Sequence, residues 1–205
     1  MEMTEDRRRN PREDLASVIA NGEVYGKPLG HLEAMSYYII AATAGHDTTS
    51  NTTAGALWAL AENQDQFRKL KEDLSLIPSM VEESIRWETP VKHFMRTATD
   101  DTEVHGKKIR KGDWLFLAYP SGNRDEDVFD DPYSFRIDRS PNKHVAFGYG
   151  AHVCLGQHLG RMEMRILWEE LLPRLKSVEL AGKPTRVKAN FVSGPKSIPI
   201  RYEMN

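Results

Sequence analysis

Cysteine is nearly absent from this 205-residue sequence: Cys154 is the only one, so no disulfide can form within the chain. A small secreted domain held together by disulfides is therefore excluded. A lone cysteine is most often a buried and unreactive thiol. Whether Cys154 has a chemical role depends on the residues around it.

The sequence also lacks a strong charge of either sign and any long apolar run. Its 28 basic and 30 acidic residues leave a net charge of −2, whereas nucleic-acid-binding domains usually have a clear basic excess. The longest strongly apolar stretch, 37–45, has nine residues, and a transmembrane helix needs about 20. The first ten residues are mostly charged and contain no apolar core of a signal peptide. We therefore expect no nucleic-acid partner and no membrane partner.

The composition is that of an ordinary globular protein with enough apolar residues to form a core. Hydrophobic residues make up 40% and charged residues 28% of the chain, which excludes a disordered or collagen-like protein. The length favours one domain over 1–205. In much of the sequence apolar residues recur every three or four positions, a period typical of helices. The helices predicted in this way cover 14–20, 31–62, 64–74, 77–87 and 154–172, and 1–12 is a charged segment without a predicted element.

Short strands and loops are predicted between and after these helices. The segment 104–109 is typical of a hairpin, 114–119 of a buried strand, and 193–195 of the tip of a second hairpin. Residues 122–142 have no periodicity and predict an irregular loop. An apolar stripe on the helix after Cys154 predicts its buried face. The stripe consists of Leu155, Leu159, Met162 and Ile166, widened by Leu167 and Leu171.

Glycines and a phenylalanine surround the cysteine, in the order Phe147-Gly-Tyr-Gly150-Ala-His152-Val-Cys154-Leu-Gly156. Glycines permit tight turns and a close approach of the backbone to another group. A cysteine at the start of a helix is close to unpaired N–H groups and to the positive end of the helix dipole. Both favour the thiolate over the thiol.

The pattern Phe-x-x-Gly-x-x-x-Cys-x-Gly, from Phe147 to Gly156, resembles the haem-binding signature of the cytochrome P-450 family of haem–thiolate monooxygenases. The resemblance implies a fold that is mainly α with small β-sheets. It also implies that Cys154 is the axial ligand of a haem b iron, with Phe147, Gly150 and Gly156 next to the cofactor. A thiolate ligand donates electron density to the iron and favours O–O cleavage.

A second motif, Glu83-Ser-Ile-Arg86, is similar to the Glu-x-x-Arg of the same family. Residues three apart lie on one helix face, and taken alone such a pair is usually a solvated surface ion pair of small energetic value. The resemblance implies a structural triad in which Arg139 joins Glu83 and Arg86. This triad is expected to fix the loop that presents Cys154.

A third motif, from Ala44 to Thr49, resembles the oxygen-activation motif of the family and lies in the middle of the longest predicted helix. A threonine hydroxyl within a helix can bond the carbonyl four residues back and loosen the ladder, here Thr48 to Ala44. The resemblance places Ala44 beside the cofactor. It also implies that Asp47 relays protons from solvent and that Thr48 holds the oxygen species while it is protonated.

Further segments extend the resemblance over nearly the whole chain. Arg96 and His152 correspond to the residues that bind the two haem propionates. Family members are about twice as long, so we expect residues 1–205 to be the C-terminal haem-binding portion, without the N-terminal half. The residues expected to contact substrate are apolar or small, as a pocket for an apolar molecule requires: Ile40, Thr43, Val91, Phe94, Phe191 and Val192.

Several of these segments are similar to bacterial family members that hydroxylate terpenes such as α-terpineol. This similarity implies a small apolar, terpenoid-like substrate, O2 as co-substrate, and a cytoplasmic protein. No flavin or iron–sulfur motif is present, so the electrons must come from another protein, and the resemblance to bacterial family members implies a ferredoxin. Arg161 and Arg165, on the helix after Cys154, are candidates for docking its acidic surface, although a solvated basic face is the alternative.

Two other interpretations are open. His152, Cys154 and His158 could bind zinc, but a structural zinc site usually has four ligands, often with paired cysteines. Alternatively, the chain is a catalytically incompetent fragment that binds haem weakly or not at all. Such a fragment would expose an apolar face and tend to self-associate.

Overall fold

The computed structural model describes residues 2–205, which form helices and small two-stranded antiparallel sheets. The chain divides into two compact units, the first ending at Asp47 and the second beginning at Thr48. The helices are α1 (Glu2–Arg9), α2 (Leu15–Ala20), α3 (His31–Glu62), α4 (Gln64–Glu72), α5 (Ile77–Glu88), α6 (Tyr119–Gly122) and α7 (Gln157–Leu171). The mainly helical fold class with small sheets is confirmed.

The first unit contains a helix that the sequence did not predict. Residues 2–9 were expected to lack a regular element, but they form α1, with acidic residues in its first turn and arginines in its last turn. This order of charges complements the helix dipole. The Arg8 guanidinium donates hydrogen bonds to the carbonyls of Ala20 and Leu29, both at 2.9 Å. These long-range contacts, which periodicity does not report, hold α1 against the rest of the unit.

Helix α2 was predicted in the remainder of the first unit, whereas the two strands after it were not. Asp14 caps α2 by accepting a hydrogen bond from the Ser17 N–H at 2.7 Å. Two short strands, β1 (Glu23–Val24) and β2 (Lys27–Pro28), pair through a turn with positive φ at Tyr25 and Gly26. The small core of this unit consists of Ile19, Leu29 and Ala34, with Tyr38 packed against it.

The second unit has the main core, built where the end of α3 packs with α4, α5 and α7. Helix α5 begins with Pro78 in its first turn, where a missing N–H costs nothing. It ends at Glu88 because Thr89 adopts a left-handed conformation, φ 41°, and Pro90 follows. The largest fully buried apolar side chains of this core are Trp168, Leu60, Leu70, Met80, Ile137 and Leu172.

Small residues allow the close approaches in this unit. A Cβ on Gly55 of α3 would lie 2.4 Å from the buried carboxylate of Glu88. A Cβ on Gly194 would lie 2.4–2.6 Å from three side-chain atoms of Asn51, one of them Cβ. Since the Asn51 Cβ cannot move without the α3 backbone, Gly194 fixes how closely the C-terminal loop approaches this helix.

Four strand pairs belong to the second unit. Strand β3 (His93–Thr97) pairs with β6 (Trp114–Ala118), and β4 (Thr102–Val104) forms the predicted hairpin with β5 (Lys107–Ile109). The prediction of a buried strand at 114–119 was wrong, because Trp114 is 79% exposed and Phe116 is also exposed. Apolar residues on alternating positions show that a strand has an apolar face, but not that anything covers it.

The C-terminal tail differs from its prediction. Strand β7 (Leu175–Leu180) pairs with β10 (Ile200–Met204), and β8 (Thr185–Arg186) pairs with β9 (Pro195–Ser197). Residues 193–195 are therefore not the tip of a hairpin. Instead the Ser193 N–H donates to the Pro90 carbonyl at 3.0 Å, which ties the loop before β9 to the end of α5.

The orientation of α7 was predicted wrongly. The helix begins at Gln157 rather than at Cys154, and its buried side chains are Met164 and Trp168. Most of the stripe that predicted a buried face is exposed, and only Leu171 is half-buried. The exposed members are Leu155, Leu159, Met162, Ile166 and Leu167. Periodicity identified a face that can be buried but not which of two apolar faces the core uses.

Candidate functional site

The loop before α7 presents Cys154 to solvent. Positive φ angles at Gly148 (72°) and Gly150 (71°) turn the chain tightly here, a conformation that favours glycine. The Cys154 N–H then donates to the Phe147 carbonyl at 2.8 Å. Gly156 caps α7, and a Cβ added there would lie 4.0 Å from the Cys154 sulfur. The cysteine is a free and exposed thiol on a backbone-bonded loop.

Glu83, Arg86 and Arg139 form a buried charge network. The Glu83 carboxylate accepts two hydrogen bonds from Arg86, at 2.7 and 2.8 Å, and one from Arg139 Nε at 3.1 Å. The side chains of Glu83 and Arg86 are completely buried, and that of Arg139 is 4% exposed. The carboxylate also accepts from the Asn142 side chain and from the Arg136 N–H. The structure thus brings together all three residues of the predicted triad.

Arg86 and Arg139 connect helix α5 to the irregular loop from residue 123 to 139. Two guanidinium charges face one carboxylate, and their remaining N–H groups are directed to backbone carbonyls. Because buried charges need both a counter-charge and full hydrogen bonding, this arrangement fixes the loop from residue 123 to 139 at several points. The carbonyls that accept these bonds belong to Asn123, Asp130, Asp131, Pro132 and Ser134.

The residues of the third motif lie on the continuous helix α3. Ala44 and Asp47 are exposed residues of the first unit, and Asp47 Oδ1 lies 2.8 Å from His46 Nδ1. Thr48 is the first residue of the second unit and is half-buried. Its carbonyl accepts a hydrogen bond from the Thr52 hydroxyl at 2.8 Å, the same i to i−4 bonding that is predicted for Thr48. The hydrogen bond from Thr48 to Ala44 stays a prediction.

Four of the six expected substrate contacts are brought together in the second unit. Val91 and Val192 form an isolated antiparallel bridge. The rings of Phe94 and Phe191 pack edge to face with centroids 5.4 Å apart, and Tyr119 lies 6.2 Å from Phe94. Both phenylalanines remain partly exposed, so this apolar wall can contact a ligand. The other two residues, Ile40 and Thr43, are exposed residues of the first unit, on α3.

The two candidate anion-binding residues lie on different elements. Arg96 is half-buried on β3, where its guanidinium donates one hydrogen bond to the Met95 carbonyl at 2.9 Å. His152 is exposed and lies in the short 3₁₀ helix Gly150–His152, two residues before the cysteine. Each side chain therefore has donor capacity for an anionic group.

The docking of an acidic partner by Arg161 and Arg165 stays a prediction. The Arg161 side chain is 31% exposed. Its guanidinium makes a two-point ion pair with Glu82 at 2.6 and 3.0 Å and lies 4.6 Å from the centroid of Phe147. Arg165 is exposed and pairs with Glu169 at 3.5 Å. Sequence alone could not separate the two, because only the fold decides which arginine of a helix faces a neighbour.

The stability of the chain is expected to depend on the ionisation of Glu82 in acid. Burial raises the pKa of Glu82, but hydrogen bonds and charge from His144 and Arg161 outweigh it and lower the pKa from 4.5 to about 2. A carboxylate with a lowered folded pKa stabilises the fold above its unfolded pKa, and this contribution is lost as the pH falls through the folded pKa. Between about pH 5 and pH 2 the free energy of unfolding should therefore fall more steeply than in Glu82→Gln. Urea unfolding followed by circular dichroism at several pH values measures this difference, and parallel pH profiles would contradict the prediction.

The zinc interpretation finds no support in the part of the chain that the structure describes. Among residues 2–205, no three histidine, cysteine or acidic side chains are grouped so that they could hold one metal ion.

Within the same residues, no helix is both long and apolar enough to cross a membrane.

Comparison with known proteins decides the family. The family model described as Cytochrome P450 matches residues 2–201. The chain belongs to the cytochrome P450 family. The family match includes the motifs around Cys154, Glu83 and Asp47, and the helical fold is part of the P450 fold.

Three curated P450 relatives match nearly the whole chain. Cytochrome P450-terp from a Pseudomonas species is 53% identical and is matched over 97% of this chain and 46% of its own length. Steroid C26-monooxygenase of Mycolicibacterium smegmatis is 43% identical, over 96% and 49%. Linalool 8-monooxygenase of Pseudomonas putida is 38% identical, over 97% and 49%. The chain spans about half the length of the curated relatives it matches.

A solved P450 structure has the same backbone arrangement over this half. The crystal structure of CYP108D1 from Novosphingobium aromaticivorans matches with a TM-score of 0.92 and 52% sequence identity. The match covers 98% of this chain and 49% of that chain.

The residues near Cys154 fit the haem iron that P450 membership implies. Cys154 is the only thiol of the sequence and is exposed, which suits a single axial position on iron and not a four-ligand zinc site with paired cysteines. Its neighbours Val153 and Leu155 are exposed, the latter at 92%. An apolar macrocycle would cover such side chains, so the surface around the thiol suits haem better than a hydrated ion.

Proposed function

We propose that residues 1–205 form the C-terminal, haem-binding portion of a P450 monooxygenase that inserts one oxygen atom of O2 into a C–H bond. The observation that carries the proposal is an exposed cysteine on a glycine-turned loop in a chain that also holds the buried Glu83–Arg86–Arg139 network. Family membership and relatives named as monooxygenases support it. The network acts as a structural tie and takes no part in the chemistry.

The proposed cofactor is haem b, which supplies the reductive activation of O2 when it is bound with a thiolate ligand. Cys154 provides the sulfur ligand from its backbone-bonded loop. Arg96 and His152 provide the cation and the imidazole for the two propionates. The residues proposed to line the cofactor surface are Phe147, Gly150, Gly156 and, on α3, Ala44.

Two residues of α3 are proposed as the catalytic pair. The Asp47 carboxylate is exposed, so it can exchange a proton with solvent. The Thr48 hydroxyl is half-buried next to it along the helix and can hold that proton in a hydrogen bond. Their roles are to move and hold protons where O2 is reduced.

The proposed substrate is a small apolar molecule of the terpenoid class. The wall of Val91, Phe94, Phe191 and Val192 is apolar and partly exposed, and Ile40 and Thr43 are the candidates on α3. One relative is named for linalool and another for a steroid. We favour the terpenoid because the relative named P450-terp is 53% identical to this chain, whereas the steroid C26-monooxygenase is 43% identical.

The proposed electron donor is a ferredoxin, and the proposed location is the cytoplasm. Arg161 is paired with Glu82 and is 31% exposed, so it stays a candidate for the docking surface. Arg165 keeps one exposed guanidinium for such a contact, and its charge reversal should slow reduction only if it docks the donor.

The experiment is an absorption spectrum of the purified chain with added haem, reduced, with and without carbon monoxide. A thiolate-type carbonyl band is expected, followed by a spectral change when a monoterpenoid alcohol is added. A larger response to a steroid would overturn the substrate class. A haem-loaded chain without the thiolate-type band would overturn the role of Cys154. No haem uptake would favour the alternative of an incompetent fragment, which nothing in the comparisons favours.

A further inference from the structure

Two adjacent glutamates of α5, Glu82 and Glu83, form ion pairs with different neighbours. Glu83 binds the two arginines of the buried network, whereas Glu82 binds Arg161 of α7 and His144 of the loop before Cys154. The Glu82 carboxylate lies 2.6 and 3.0 Å from the Arg161 guanidinium and 3.0 Å from His144 Nε2. Glu82 therefore links α5, α7 and the cysteine loop through one side chain.

Both partners of Glu82 pack against the ring of Phe147. The Arg161 guanidinium lies 4.6 Å from the ring centroid, within the range of a cation–π contact. The His144 ring is 5.9 Å away at a tilt of 54°. Phe147 is in turn the residue whose carbonyl accepts the Cys154 N–H at 2.8 Å. A chain of contacts thus runs from Glu82 through a ring to the backbone of the cysteine.

The His144 side chain depends on Glu82. It is 3% exposed, and its Nδ1 has no hydrogen-bond partner among the described residues. Loss of the bond at Nε2 would leave a buried imidazole with neither nitrogen bonded, which is unfavourable. The His144 ring would then be expected to move, and Phe147 would lose its contacts with His144 and Arg161.

We propose that Glu82 is a positioning residue for Cys154, acting through His144, Arg161 and the ring of Phe147. The tie is separate from the Glu83–Arg86–Arg139 network, which holds the loop from residue 123 to 139. Its importance for catalysis rests on the proposed function of Cys154 as the iron ligand. Its effect on the geometry of the loop does not depend on haem.

The first test is hydrogen exchange of the haem-free full chain, comparing Glu82→Ala with the natural sequence. Alanine removes every acceptor that Glu82 offers to His144 and Arg161, whereas glutamine would keep one. The Cys154 amide, which is bonded to the Phe147 carbonyl, is expected to exchange about tenfold faster, because the loop opens locally at lower cost. Amides in the β7–β10 pair should be unchanged. Glu169→Ala, which removes an exposed ion pair on α7, is the matched control and should leave Cys154 protection unaltered.

The outcomes of these experiments distinguish a failure of this proposal from a failure of the proposed function. Equal Cys154 exchange in Glu82→Ala and Glu169→Ala overturns the tie, whatever the haem result. If Glu82→Ala unfolds as a whole, Arg161→Gln takes its place. Arg161→Gln removes the cation from the Phe147 ring and leaves His144 bonded to Glu82, so unchanged Cys154 exchange in it overturns the tie as well. In the haem-loaded chain the thiolate-type carbonyl band should convert to the thiol type faster in Glu82→Ala than in Glu169→Ala. Failure of haem binding in the natural sequence counts against the proposed function and leaves the exchange result standing.

Discussion

Replacement of Cys154 by serine is expected to abolish the thiolate-type carbonyl band while the chain stays folded. The side chain is exposed and makes no contribution to either core, so the free energy of unfolding should change by less than about 0.5 kcal/mol. A serine hydroxyl is not deprotonated near neutral pH and does not replace thiolate sulfur as a ligand of haem iron. The spectral change should therefore be complete although the structural change is small.

His158→Ala is the matched control for this experiment. His158 is an exposed residue of α7, close to Cys154 in sequence, and would be a ligand only in the zinc interpretation. The haem proposal expects an unchanged carbonyl band in His158→Ala. Equal losses in the two variants, or a thiolate-type band that survives in Cys154→Ser, would contradict the assignment of Cys154.

Local sequence patterns predicted the elements of this fold better than the faces they bury. Helix α3 has the predicted bounds, and the hairpin β4–β5 lies where His105 and Gly106 favour a tight turn. By contrast, the apolar stripe from Leu155 to Leu167 was assigned to the core, and it is exposed. Periodicity depends on neighbours along the chain, whereas burial depends on elements far away in sequence.

In the candidate site, too, local sequence patterns predicted some features, whereas contacts between distant segments were not predicted. Glu83 and Arg86 were found because they match a family motif with a spacing of three positions, and Arg139 was paired with them only through the same resemblance. The Glu82–His144 contact, across 62 residues, had no local signal beyond a second glutamate beside Glu83. An ion pair between distant segments leaves no periodicity in the sequence, so only the fold could show it.

Glu83→Gln is expected to be the most destabilising single change. It removes the carboxylate that pairs with Arg86 and Arg139 and leaves both buried guanidinium groups without an acidic partner among residues 2–205. Breaking a buried ion pair by removing one partner typically costs about 3–5 kcal/mol, against a total stability of about 5–15 kcal/mol for a typical domain. Urea unfolding followed by tryptophan fluorescence measures the loss. A loss below about 1 kcal/mol, the range of the exposed pair removed by Glu169→Gln, would contradict the prediction.

A triple variant, Glu83→Leu with Arg86→Met and Arg139→Met, shows why the network is more than an ion pair. Replacement of a whole buried ion group by apolar residues is often neutral or stabilising. Here it should not restore stability, because the two guanidinium groups also bond the backbone carbonyls of the loop from residue 123 to 139. Those carbonyls would lose their guanidinium donors, at about 1–3 kcal/mol for each one that stays buried and has no other donor. Stability equal to that of the natural sequence would show instead that the loop finds its path without the arginines, and that the charges serve each other alone.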